Sequence, residues 1–269
     1  MSIEVTIRNR WNMEVAHQSG EKSCNLCYRD SYLTGDHIEI QVSHTNQFYM
    51  IGIDDAMEQS LVYMTEKMFL YEIPFGEKHE SYPVHAFQGN LHVIRVRKAE
   101  KWEWTAYRNQ AYNCLDQHVN YGVFPHAKAN VETRGESVFA ARNAIDGYTL
   151  GSSHGIWPYE SWGINRQDDA CLMLEFGRDI WTDRIDLFLR ADFPHDNWWN
   201  QVTFSFSDGT QMNMELEKTN DRQSLLYKPK KISWVKMHDM KKAEEESPFP
   251  ALSQIEVYGK DDSNEREDH

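Results

Sequence analysis

The sequence predicts an all-β fold: two antiparallel β-sandwiches in tandem. Short runs alternating apolar with polar residues recur along the chain, amphipathic helical periodicity is scarce, and turn formers or charges bound most runs. Runs of this kind without helices between them pack as antiparallel sheets rather than as an α/β sheet. About a dozen of them in 269 residues exceed one small sandwich.

In chain order, "SIEVTIRN", "HIEIQVSH", "QFYMIGID", "LVYMT", "MFLYEIP", "LHVIRVRKA" and "WEWTAYRN" read as strands of a first sandwich. Gly, Pro and polar residues then interrupt the pattern in "NYGVFPHAKANVETRGES", residues 120–137, which sets domains at 1–122 and 123–260. "GESVFAARNAIDG" has room for one short helix, Ser137 to Ala144 at most. The second sandwich takes "CLMLEFG", "DRIDLFLRA", "QVTFSFSDG", "QMNMELE", "ISWVKMH" and "QIEVYG", with an Asp-Gly hairpin signal at Gly209. "MKKAEEESPFP" is a charged surface loop, and residues 261–269 read as a disordered acidic tail.

Composition narrows the function. Acids outnumber bases 42 to 28, a net charge of −14, which opposes nucleic acid and anionic membrane as partners. Neutral polar ligands stay open, and an aromatic content of 13% with nine Trp is high; such rings serve core packing most often and flat binding surfaces next. The N-terminus "MSIEVTIRNRWNMEV" is charged by position 4 and lacks an apolar signal region. The expectation is a cytoplasmic protein if the chain is complete, and an extracellular one if a signal peptide was removed. Cys24 and Cys27 form a CxxC without a second pair, so reduced thiols are expected rather than zinc; Cys114 and His17 are the candidates that could complete a site.

Four motifs in order, "ARNAIDG" (Ala141 to Gly147), "ESWG" (Glu160 to Gly163), "ACLMLEFGRDIWTDRIDLFLR" (Ala170 to Arg190) and "LSQIEVYG" (Leu252 to Gly259), give the second half a resemblance. It resembles the discoidin-like, or F5/8 type C, domains, which include the family 32 carbohydrate-binding modules. The resemblance implies a galactose-binding-domain-like jelly roll whose loops at one end bind ligand. It also implies a calcium ion at the Asp146 loop. Tyr148 stands where Asn or Asp is usual and Gln254 where Glu is usual, which leaves a bound ion and a purely structural turn both open.

Two loops then carry the candidate site. "RADFPHDNWW" offers Arg190, Asp192, His195, Asp196, Asn197 and Trp198, and "GSSHGIWPYESWG" offers His154, Trp157 and Tyr159. A pyranose has an apolar face that stacks on an aromatic ring and hydroxyls that both donate and accept, which such residues match. Trp198 and Trp199, being neighbours on a strand, face opposite sides. A plug closing the sandwich end is the alternative for the first loop. The leading function is therefore non-catalytic binding of a mono- or oligosaccharide. The alternatives are a carbohydrate-active enzyme with its site between the domains, drawing on Asp192, His195, Asp196 or Glu160 and on Asp54, Asp55, His79 or His85, and a module binding a protein partner.

Overall fold

The computed structural model describes residues 2–262 apart from 152, 153, 156, 193 and 194, so residues 263–269 of the expected acidic tail lie outside the described residues. The first unit contains β1 (Ile3–Arg8), β2 (Glu14–Gly20), β3 (Ser23–Tyr28), β4 (His37–Val42), β5 (Gln47–Gly52), β6 (Ser60–Met64), β7 (Met68–Glu72) and β8 (His92–Lys98). They form two antiparallel sheets, β2-β1-β4-β7 and β6-β5-β8-β3. Alternation decides which side faces in. Ile3, Val5 and Ile7 are fully buried, and Val5 lies opposite Ile40. They share one core with Tyr49, Ile51, Val62 and Ile94 of the facing sheet. Each such aliphatic side chain contributes about 1.5–3 kcal/mol by leaving water. The same alternation puts Cys24 in the core and Cys27 in solvent, three residues apart on β3 and therefore on opposite faces. Their thiols therefore point away from each other, and Cys114 lies 3.2 Å from the Ser60 hydroxyl.

Two local expectations are corrected. "WEWTAYRN" is not a strand: Lys101–Thr105 is a helical turn, α1, followed by the short β9 (Arg108–Asn109). Positions two apart share a strand face but lie on opposite sides of a helix. The turn lets Trp104 stack on Phe48 at 5.6 Å while Trp102 stays 72% exposed. The Glu103 carboxylate caps the turn by accepting from the Glu100 N–H at 2.8 Å. The expected helix over Ser137 to Ala144 is two 3-10 segments, Ser137–Phe139 and Ala141–Ile145, with Ala140 extended between them. The Ala141 N–H that would continue a helix donates instead to Glu132 Oε1 at 2.8 Å.

The second unit adds β10 (Val123–Phe124), β11 (His126–Ala129), β12 (Trp162–Gly163), β13 (Leu172–Arg190), β14 (Trp199–Phe206), β15 (Gln211–Glu215), β16 (Gln223–Lys242) and β17 (Ala251–Asp261). Its main sheet runs β12-β17-β13-β16-β14-β15. The register of β13 breaks between Glu175 and Ile180, where Gly177 has φ +66°. Before the break β13 pairs with β11, and after it with β17. Strands that change partners at such irregularities turn one sheet around a core. That core includes Trp162, Phe176, Leu187, Trp199 and Ile255.

The connection interleaves the units rather than crossing once. β9 pairs with β17, and β10 pairs with β6. Two buried arginines of the second unit reach into the first. Arg142 donates to the Ser81 carbonyl at 3.3 Å and lies 4.4 Å over Tyr82. Arg178 lies 4.5 Å over Phe48 while pairing with Asp261 at 2.6 Å and donating to Gln110 at 2.9 Å. Asp261, expected at the start of the disordered tail, is instead a buried member of β17 because Arg178 holds it.

Candidate binding site

The site starts where β13 ends. Arg190, 3% exposed, donates through Nη1 to the Tyr159 carbonyl, reaches Asp192 at 3.4 Å through Nε, and sits 5.5 Å over the Tyr159 ring. One guanidinium thus ties the two candidate loops together. His195 follows, its ring 5.7 Å from His154 and 5.9 Å from Phe139. Burial, and then the charge of Arg190, push its pKa down to about 4. At neutral pH the ring is therefore uncharged. Its Nδ1 lies 3.2 Å from the Phe249 carbonyl, which only an N–H can satisfy. That fixes the tautomer and leaves Nε2 as an acceptor. His195 Nε2 and Arg190 Nη2 are both buried and lack a hydrogen-bond partner among the described residues. An acceptor and a donor left open in one cluster match a hydroxyl, which gives one hydrogen bond and takes another.

The cluster abuts a cleft of about 680 Å³ between the two sandwiches. His154 and Tyr159 line it from the second unit, beside Phe139 and Arg134. Glu77, Glu80 and Tyr82 line it from the 3-10 segment Gly76–Ser81 of the first. The ring edges of Phe139, Tyr159 and Tyr82 form its apolar wall, each being less than a tenth exposed. Three of the acids are matched: Glu72 by Lys78 at 3.3 Å, Glu132 by His118 at 3.3 Å, and Glu136 by Arg134 at 2.5 Å.

Of the residues singled out in the sequence, the structure brings together His154, Tyr159, Arg190, Asp192 and His195. The others stand apart. Asn197 spends its side chain on loop backbone, donating to Ser247 O at 2.6 Å and accepting from Trp198 N–H at 2.7 Å. Trp198 is half-buried against the core and Trp199 is fully inside, as alternation requires. Trp157 packs edge-on against Tyr148 at 4.9 Å, and Asp196 is half-exposed. In the first unit Asp54 accepts from Phe87 N–H and from His92, Asp55 pairs with Arg95, and His79 bonds the Ala86 carbonyl. Sequence reasoning missed Phe139, Glu77, Glu80 and Tyr82. For Glu77, Glu80 and Tyr82 the only signal was that residues 74–90 break strand alternation with Pro, Gly, His and Tyr, while Phe139 lay in the segment expected as a short helix.

The Asp146 loop lies behind this cluster. Asp146 Oδ1 accepts from the Tyr148 N–H at 3.1 Å, and Glu160 Oε2 accepts from the Tyr159 N–H at 2.9 Å. Their other oxygens, Oδ2 and Oε1, are buried without a hydrogen-bond partner among the described residues. Burial, followed by the charge of Glu160, pushes the Asp146 carboxyl well above the usual carboxylate range. Arg142 opposes that rise through its charge but gives neither carboxyl a hydrogen bond, since its donors go to the carbonyls of Asp116, Ser81 and Cys114 and to Asn143 Oδ1. Two buried carboxylates with open oxygens fit a calcium ion's need for anionic donors. Gln254 spends its amide oxygen on the Gly147 N–H at 3.2 Å.

No protein-family model matches the chain, and no curated protein is significantly similar to it in sequence. Solved structures are similar in part. Chitosan-binding module 1 of a chitosanase/glucanase from Paenibacillus sp. IK-5 is 18% identical, covering 56% of this chain and 98% of its own, with a TM-score of 0.37. A fucose-binding module of Streptococcus pneumoniae is 13% identical over 56% of this chain and 96% of its own, TM-score 0.39. The family 32 carbohydrate-binding module of C. perfringens NanJ, solved with galactose, is 17% identical over 49% of this chain and 91% of its own, TM-score 0.38. The last belongs to the family that the four motifs resemble.

Proposed function

We propose that the protein binds a mono- or oligosaccharide without turning it over, at the end of the inter-sandwich cleft where His154 and Tyr159 meet Arg190 and His195. The observation that carries this reading is the pair of buried groups without partners among the described residues, the His195 Nε2 acceptor and the Arg190 Nη2 donor, in a cluster whose His154 and Tyr159 line the cleft. A sugar hydroxyl carries both the donor and the acceptor that these two atoms call for, and the aromatic rings lining the cleft suit a sugar's C–H face. Asp146 and Glu160 would hold a calcium ion that neutralises two buried carboxylates and fixes the loop leading to His154.

The test is a thermal-shift screen against neutral mono- and oligosaccharides, with and without calcium. Ligand at ten times its dissociation constant stabilises by roughly 1.4 kcal/mol, a rise of about 2–4 °C in a protein of this size. His195→Ala, which removes one hydrogen bond, is expected to weaken binding about five- to ten-fold. Calcium is expected to raise Tm on its own, and Asp146→Asn to abolish that rise. Absence of any saccharide shift, or retained affinity in His195→Ala, counts against the site.

A further inference from the structure

The first sandwich contributes to the cleft in a way the carbohydrate-binding reading does not use. The 3-10 segment Gly76–Ser81 places Glu77 and Glu80 three residues apart. A 3-10 helix has three residues per turn, so both carboxylates project from one side, and both line the cleft. The segment is fixed against the second unit, because Ser137 Oγ donates to the Glu77 carbonyl at 2.6 Å. Lys78, between the two acids, is drawn to Glu72. The remaining acids of the cleft have their cations or His118, and Arg142, though charged, gives its donors to carbonyls and Asn143 and none to Glu77 or Glu80. Glu77 and Glu80 show no side-chain hydrogen bond or ion pair among the described residues. Glu80 also stands near the second unit's wall: its charge helps raise the Tyr159 phenol, an effect that burial leads. A ligand lying against Tyr159 and His154 thus meets an uncompensated carboxylate from the opposite sandwich, in a protein whose net charge is already −14.

Resting on the carbohydrate-binding reading, we propose that Glu77 and Glu80 act as a charge filter, so that the preferred ligand is a sugar oligomer bearing free amino groups. An ammonium on a ring held at Tyr159 supplies the missing counter-charge and donates hydrogen bonds that a carboxylate accepts. An anionic sugar at the same place meets repulsion, while a neutral one binds without the added attraction. The first sandwich is on this account a wall of the site rather than a spacer.

The experiment is calorimetric titration of the full chain with three probes of equal length: a glucosamine oligomer, the same oligomer fully N-acetylated, and a galacturonate oligomer. Spermidine serves as a control for charge alone. The expected order is glucosamine, then N-acetylglucosamine, then galacturonate. Glu80→Gln is expected to lower glucosamine affinity about five-fold, the upper end for a solvent-facing charge pair, and to leave the acetylated oligomer unchanged. Glu77→Gln should act alike, and 0.5 M salt should erode the preference. Equal affinity for the free and acetylated oligomers would overturn the filter while leaving carbohydrate binding in place. Spermidine binding as tightly as the glucosamine oligomer would overturn it too, because the cleft would then read charge and not sugar. Binding of none of the oligomers defeats both the filter and the reading beneath it.

Discussion

At the scale of single residues, two buried histidines have their pKa values moved in opposite directions by their surroundings. His195 is buried beside Arg190, with its pKa lowered to about 4. His126 is buried too, but hydrogen bonding at 2.8 Å and the charge of Asp116 outweigh burial and raise its pKa. The signs follow from which state binds more protons. For His195 the unfolded chain, titrating near 6.5, takes up a proton that the folded one refuses, so its contribution is present above that value and is lost as pH falls from about 6.5 to about 4. For His126 the contribution is complete at low pH and fades as pH rises through its raised pKa. Urea unfolding of the wild type between pH 7 and pH 4 is expected to show a fall to which His195 contributes up to about 3 kcal/mol. His195→Gln, which is polar and does not titrate in this range, should flatten the fall. Parallel curves for the two proteins would mean that His195 charges freely in the folded state and is not the neutral acceptor the site requires.

At the scale of elements, the strands were legible because alternation is a local property: Ile3, Val5 and Ile7 state their inward face in six residues. The turn at Lys101–Thr105 was not, because Trp102 and Trp104 fit a strand equally well until Phe48 claims one of them. The site divides in the same way. His154, Tyr159, Arg190 and His195 stood out by residue type, but their roles depend on partners far along the chain, such as the Phe249 carbonyl 54 residues from His195. The cleft's other wall was invisible, since nothing local ties Glu80 to Tyr159. Gly147 shows an element whose need is both local and distant. Its φ of +97° favours glycine, and a Cβ there would come within 2.6 Å of the Tyr112 ring. Gly209 has φ +83° with open space around it. Gly209→Ala is thus expected to cost about 1 kcal/mol, from backbone conformation alone. Gly147→Ala should cost about 2–3 kcal/mol, a further fall of roughly 2–6 °C, because the ring must also move. Equal losses would show that Tyr112 gives way freely and that the loop is not braced against the first unit.

At the scale of the whole molecule, the cleft exists only if the two sandwiches keep one relative position, and the buried arginines are the means. Arg178 is fixed by Asp261, Gln110 and the Phe176 carbonyl, and it presses its guanidinium on Phe48, which clusters with Tyr63 and Ala99 of the first unit. Removing it leaves the Asp261 carboxylate buried without that partner, which costs about 3–5 kcal/mol. The loss falls on the contact between units, so its signature is cooperativity rather than stability alone. Wild-type protein is expected to melt calorimetrically in one transition. Arg178→Met, which keeps much of the bulk but not the charge, should separate it into two. Arg178 lies outside the lining of the cleft, so any loss of saccharide affinity in this variant reports the position of the walls and not a lost contact. Pairing Arg178→Met with Asp261→Leu removes both of those charges but also takes from the buried Arg108 the carboxylate that attracts it, so only part of the stability should return. A single variant that still melts in one transition at the wild-type temperature would mean that β9 and β10, each paired across the divide, suffice to hold the sandwiches together.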